Sequence, residues 1–167
     1  QGAKNAGARN IVAVDPVAFK RSKAEEFGAT HMVENMEQAW HVVSQLTRGQ
    51  LADACVITTD VAEGSYVGEA LAVVGKRGRV VVTAIGHPDD TTIDTSLFEL
   101  TLYEKTIRGA LFGSSNPRHD IPRYLEMYQT GQLKLDELVT KEYVLEDINA
   151  GYADLLAGRN LRGIIRF

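Results

Sequence analysis

Short runs of apolar, mostly β-branched residues recur along this chain, separated by stretches whose apolar residues follow helical spacing. Residues 10–15 read Asn-Ile-Val-Ala-Val-Asp, residues 53–59 Asp-Ala-Cys-Val-Ile-Thr-Thr, and residues 79–85 Arg-Val-Val-Val-Thr-Ala-Ile. A fourth, weaker run goes from Thr106 and Ile107 to Leu111 and Phe112. Runs without polar alternation suit strands covered on both faces, as in a parallel sheet. Between them, Ala39, Val42, Val43 and Leu46 fall at i, i+3, i+4 and i+7, and Gly49 closes that helix. Val67, Ala70, Leu71 and Val74 repeat the spacing, with Gly75 expected at the position just past the helix end. A third helix over 17–27 is stopped by Gly28. Glycine suits such ends because the terminating residue adopts φ > 0, which costs glycine nothing. Strand and helix alternating at this pitch predict βαβ units and a doubly wound parallel sheet, the α/β class.

After Phe112 the rhythm changes. Residues 113–117 (Gly-Ser-Ser-Asn-Pro) read as a turn-rich loop, and Ile121, Tyr124, Leu125 and Tyr128 mark a helix capped by Asp120 and ended at Gly131. A strand is expected over 139–144, a helix on Leu145, Ile148, Tyr152 and Leu155, and a last short strand at Ile164 and Ile165. The boundary is therefore set near residue 112, giving domains 1–112 and 113–167. Residues 1–8 read as the end of a helix with Gly7 as its stop, no strand precedes them, and no G-x-G-x-x-G occurs anywhere. A dinucleotide-binding unit of the Rossmann type opens with a strand, that glycine turn and a helix. The chain also opens with Gln1 rather than Met. The expectation is a cut chain, an incomplete doubly wound sheet with its first strand and glycine turn missing. In the strand order 3-2-1-4-5-6 the first strand is central, so its loss leaves two half-sheets with bare edges unless strand 10–15 pairs with strand 53–59.

Composition removes several function classes. Eighteen Lys and Arg against 22 Asp and Glu give a net charge of −4, which argues against nucleic acid or an anionic membrane as partner. No apolar run reaches the roughly 18–20 residues that span a bilayer. The single cysteine, Cys55, excludes an internal disulfide and fits a reducing compartment, so a cytoplasmic location is expected. The four histidines show no zinc-site spacing.

The candidate chemistry lies at strand ends. Asp15 closes the first run, where an acid accepts the adenosine ribose hydroxyls of NAD and repels the 2′-phosphate of NADP; capping the following helix fits the same residue. Lys20 reaches the same ribose from the first helical turn, or is an ordinary solvated lysine. Thr58, Thr59, Ala84, Ile85 and Gly86 end their strands at the sheet edge where doubly wound folds bind ligands, although Gly86 also reads as loop punctuation.

The strings Val-Ala-Val-Asp15-Pro-Val-Ala-Phe-Lys20, Ala-Asp53-Ala-Cys-Val-Ile, Gly78-Arg-Val-Val-Val, Arg108-Gly-Ala-Leu-Phe112-Gly and Leu-Arg162-Gly-Ile-Ile-Arg-Phe167 resemble, in order, the zinc-dependent medium-chain alcohol dehydrogenases. The stretch after Leu111 looks closest to the branch that uses nitroso-dimethylaniline as hydride acceptor. The resemblance implies that Asp15 and Lys20 form the adenosine-ribose pair, with NAD favoured over NADP. It puts Thr58 and Thr59 on the adenine side and Ala84, Ile85 and Gly86 at the nicotinamide carboxamide. Leu111 and Phe112 fall beside the nicotinamide and substrate cleft, and Arg162 at the pyrophosphate. It also implies an alcohol or aldehyde substrate, a homo-oligomer formed through 98–112, and residues 113–167 as a C-terminal piece of the catalytic domain. Zinc, which makes the alcohol more acidic in the intact enzyme, is implied to sit on ligands absent from this chain. The chain alone is then expected to be inactive. Two departures stand out: Ala84-Ile-Gly-His-Pro88 replaces the family's Gly-Val-Pro-Pro, and Thr58-Thr-Asp60 replaces a more apolar strand end. A stand-alone nucleotide-binding or interaction module, and a zinc-free quinone-reductase relative, remain as alternatives.

Overall fold

The computed structural model describes all residues from Gln1 to Phe167, and the chain divides into two compact units, Gln1–Glu34 with Pro117–Phe167, and Asn35–Asn116. Every strand pairing in both units is parallel.

In the first unit a short helix α1 (Gly2–Asn5) precedes β1 (Val12–Val14), α2 (Ala18–Ala24), a 3-10 turn over Glu25–Phe27, and β2 (His31–Val33). The helix end falls where the sequence puts it, with Gly28 at φ 108°. β1 pairs with β2 through Val12↔His31, Ala13↔Met32 and Val14↔Val33. The sequence reading has no strand at 31–33, because three residues are too few to show a period.

The second unit holds α3 (Met36–Leu46), β3 (Ala52–Ile57), β4 (Val61–Ala62), α4 (Gly64–Val73), β5 (Val74–Val82), β6 (Ile85–Gly86), α5 (Leu97–Leu102) and β7 (Thr106–Gly109). Its main sheet runs β3-β5-β7, and β4 pairs with β6 apart from it. Asn35 caps α3 by accepting from Gln38 N–H at 2.9 Å, and Ser96 caps α5 by accepting from Glu99 N–H at 3.2 Å. α4 lies on β3 and β5 and buries Val67, Ala70 and Leu71 against Ile57, Val74 and Val80; Val74 and Val80 are wholly enclosed. Burying each such side chain contributes about 1.5–3 kcal/mol.

The pairings β2-β1 and β3-β5-β7 are those the order 3-2-1-4-5-6 contains on either side of its first strand. Of the two outcomes expected, the half-sheets with bare edges form and the pairing of 10–15 with 53–59 does not. β1 joins β2, which follows it across one helix and needs only one crossover. β1 and β3 therefore each keep one edge without a ladder partner.

Gly75 also departs from expectation. It does not terminate α4 with a positive φ; the chain passes straight from Val73 into β5, and the left-handed residue is Arg77 at φ 59°. Gly75 is needed instead for closeness, since a Cβ there would sit 2.0 Å from the carbonyl oxygen of Gln50. The run to Leu111 and Phe112 likewise stops early. β7 ends at Gly109, and 111–114 form a tight turn with Phe112 at φ 47° and Gly113 at φ 66°.

The rest of the first unit comprises α6 (Pro117–Gln129), β8 (Val139–Val144), α7 (Ile148–Leu156) and β9 (Arg162–Arg166), with β8 paired to β9. α6 starts before the expected cap, so Asp120 lies in its first turn, where its charge suits the helix N-terminus. Proline at 117 fits a helix start, whereas Pro122 leaves one helical hydrogen bond unmade. No helix is long and apolar enough to cross a membrane.

Candidate functional site

Asp15 directly follows β1 and extends its ladder, donating its N–H to Val33 O at 3.1 Å. Its Oδ1 accepts from Val17 N–H at 2.8 Å, closing a turn over Pro16, and its carbonyl accepts from Arg21 Nη1 at 2.7 Å. One carboxylate oxygen is thereby fixed and the half-buried side chain keeps Oδ2 for another donor. The capping alternative is not met: α2 has Val17 at its N-cap with no side-chain cap bond, and Asp15 instead closes the turn before the helix, with one acceptor left over. Lys20, in the first turn of α2, is half-buried, and its stem passes near Gly158 beyond α7. Arg162 opens β9 with an exposed side chain whose Nη1 donates to Leu161 O at 2.8 Å. These three residues belong to the first unit.

The second unit gathers the others at one sheet edge. Thr83, which the sequence reading passed over, donates both N–H (3.1 Å) and Oγ1 (2.9 Å) to Ile57 O, clasping the end of β5 to that of β3. Ala110 N–H donates to Val82 O at 2.9 Å and ties in the end of β7. Thr58 and Thr59 leave β3 exposed, and Thr59 Oγ1 turns back to Val61 O at 2.9 Å. Val61↔Ile85 and Ala62↔Gly86 then pair as β4 and β6, so two strand ends found separately in the sequence meet in one small parallel pair. Ala84 is half-buried, while Ile85, Leu111 and Phe112 are 70%, 66% and 80% exposed. Apolar side chains left open at the C-terminal edge of a parallel sheet suit a flat, partly apolar ligand.

Each unit also holds a cavity. One of about 360 Å³ sits in the second unit between α4 and the segment leading into α5. The other, about 400 Å³, sits in the first unit and is lined by Tyr143, Tyr152, Leu155, Asn160 and Arg162 among others. Beside it is a cluster of charged and polar side chains around Asp154. Lys141, Arg159 and Tyr143 all donate to Asp154, and hold its carboxyl well below the usual carboxylate range. No sequence signal could have found this cluster, because its members come from β8, α7 and the loop beyond. Burial pushes the Cys55 thiol up, which disfavours its thiolate. His87 is exposed beside Asp89, at 3.6 Å from its carboxylate.

Within the first unit Asp15 offers an oriented acid and Arg162 a guanidinium; within the second, the sheet edge is open and apolar. Zinc does not fit, for nowhere do three His, Cys, Asp or Glu side chains converge.

Comparison with known proteins places the chain in a family. Residues 1–130 match the family model described as zinc-binding dehydrogenase. The NDMA-dependent alcohol dehydrogenase of Amycolatopsis methanolica is 52% identical over 165 residues, 99% of this chain and 44% of that protein. A putative alcohol dehydrogenase D of Mycobacterium tuberculosis is 51% identical over 99% of this chain and 45% of its own length. Among solved structures, benzyl alcohol dehydrogenase from Acinetobacter calcoaceticus superposes with a TM-score of 0.89 at 29% identity, covering 99% of this chain and 44% of that one. The 2R,3R-butanediol dehydrogenase of Bacillus subtilis gives 0.81 at 25% identity, over 99% and 46% of the two chains. The chain thus spans under half the length of the relatives it matches, and it belongs to the zinc-binding dehydrogenase family.

Proposed function

We propose that the protein carrying this chain is an oxidoreductase that transfers hydride between an alcohol and NAD, giving the aldehyde or ketone, NADH and a proton. Residues 1–112 are the larger part of its dinucleotide-binding domain, and 113–167 return to the catalytic domain. Its zinc is held by residues outside this chain. The protein works in the cytoplasm and assembles into a homo-oligomer through 98–112, where Phe98 and Leu102 are 70% and 56% exposed.

One observation carries the reading. At the tip of a parallel strand, Asp15 is turned by the Val17 N–H so that one carboxylate oxygen remains for a diol. The adenosine ribose of NAD offers that diol, while the extra phosphate of NADP meets a like charge. Lys20 supports the same sugar. Thr58 and Thr59 border the adenine, Ala84, Ile85 and Gly86 present backbone groups to the carboxamide, and Leu111 and Phe112 keep water from the nicotinamide face. Arg162 pairs with the diphosphate. NAD itself accepts the hydride; these side chains bind and orient it.

The complete protein, given a series of primary and secondary alcohols, should form NADH or bleach nitroso-dimethylaniline. NAD should serve better than NADP. The 167-residue chain alone should do neither and should bind NAD weakly, because the glycine turn that anchors a diphosphate is not in it. Failure of the complete protein with every alcohol and both acceptors refutes the assignment.

A further inference from the structure

The loop that delivers Arg162 to β9 is held by polar side chains. Asp154, 7% exposed, accepts from Lys141 Nζ at 2.5 Å, Arg159 Nε at 2.7 Å and Tyr143 OH at 2.8 Å. With its hydrogen committed to Asp154, the phenol oxygen serves Asn160 only as acceptor, and Asn160 Nδ2 donates to it at 3.0 Å. That fixes the amide's orientation and leaves Asn160 Oδ1 buried without a partner. Next along the chain, Leu161 N–H donates to Thr140 Oγ1 at 2.9 Å, and Leu161 C=O accepts from Arg162 Nη1 at 2.8 Å. The guanidinium is thus bonded to the carbonyl of a residue whose N–H is anchored to Thr140 at the start of β8, and the preceding residue, Asn160, is anchored to Tyr143. Beyond Arg162 the Tyr143 ring bears on the backbone again: a Cβ on Gly163 would lie 2.7 Å from its Cε2.

We propose that Asp154, Tyr143 and Asn160 form a positioning relay that aims the Arg162 guanidinium at the diphosphate of the dinucleotide; this rests on the role given to Arg162 above. The bond to Leu161 uses Nη1 and leaves the Nε–Nη2 edge for two parallel N–H donors, the geometry in which arginine holds phosphate oxygens. An exposed arginine otherwise loses much rotamer freedom on binding, and the relay removes that loss beforehand. Lys141 and Arg159 keep Asp154 ionised, so the phenol hydrogen stays directed at it.

Tyr143→Phe deletes one hydroxyl and keeps the ring. In the complete protein, calorimetry with ADP-ribose and with adenosine, which lacks phosphate, is run on the parent, Arg162→Ala, Tyr143→Phe and the double variant. Arg162→Ala should weaken ADP-ribose roughly tenfold to a hundredfold, the range of a charged hydrogen bond, and leave adenosine unchanged. Tyr143→Phe should weaken ADP-ribose by about threefold to tenfold and add nothing in the Arg162→Ala background, as expected of coupled residues. Additive losses, or an equal loss for adenosine, overturn the relay. If Arg162→Ala leaves ADP-ribose binding intact, the diphosphate role of Arg162 is wrong and the relay falls with it. Thermal melting checks that each variant folds, and Thr140→Val, which cuts the Leu161 N–H bond, repeats the cycle should Tyr143→Phe fail to fold.

Discussion

Asp15→Asn separates a cofactor acid from a mere turn acceptor. The asparagine oxygen still accepts from Val17 N–H, bonded at 2.8 Å in the parent, so the turn over Pro16 survives. Melting should then shift by no more than about 0.5 kcal/mol of stability, as for substitutions that break no buried contact. What disappears is the charge on the oxygen left free. A ribose hydroxyl bonded to a carboxylate contributes about 1.5–3 kcal/mol, so NAD affinity should fall roughly tenfold to a hundredfold. For NADP the sign reverses. Like charges about 4 Å apart repel by about 4 kcal/mol at an effective dielectric near 20, and solvent at this half-buried site screens much of that. Losing the repulsion should strengthen NADP binding, and the ratio of the two Kd values should change by about a hundredfold or more. Calorimetry with each dinucleotide reads both constants on the complete protein. Two unchanged Kd values beside an unchanged melting temperature would leave Asp15 as a turn acceptor alone and refute the reasoning.

Gly75→Ala places a methyl 2.0 Å from the carbonyl oxygen of Gln50, so the backbone must move. The expected loss is about 1–3 kcal/mol or more by overpacking, read by denaturant unfolding, and an unperturbed midpoint would contradict the close approach. Asp154→Asn tests the pH dependence. The folded carboxyl is depressed, first by the Lys141 hydrogen bond and then by Arg159 and Tyr143. Its stabilisation is therefore complete above about pH 5 and is lost as pH falls below that toward the depressed value. The variant should melt lower at neutral pH and lose less on acidification than the parent; parallel acid limbs in melting temperature would count against it.

Much of the architecture was legible in contiguous residues. The runs at 10–15, 53–59 and 79–85 became β1, β3 and β5, and Gly28, Gly49 and Gly131 end their helices with φ of 108°, 83° and 72°. The place of Asp15 just past the first strand was legible as well, because an acid closing an apolar run is a local pattern. Periodicity and end signals depend on neighbours a few positions away, which is why the sequence alone determines them. The tertiary structure decided the rest. It made a strand of three residues at 31–33, joined 61–62 to 85–86, moved Gly75 from a helix stop to a point of close approach, and gathered Lys141, Tyr143, Arg159 and Asn160 around Asp154. Each of these needs partners supplied by other elements, and a hydrogen bond or a steric limit exists only once folding has placed them within a few ångströms.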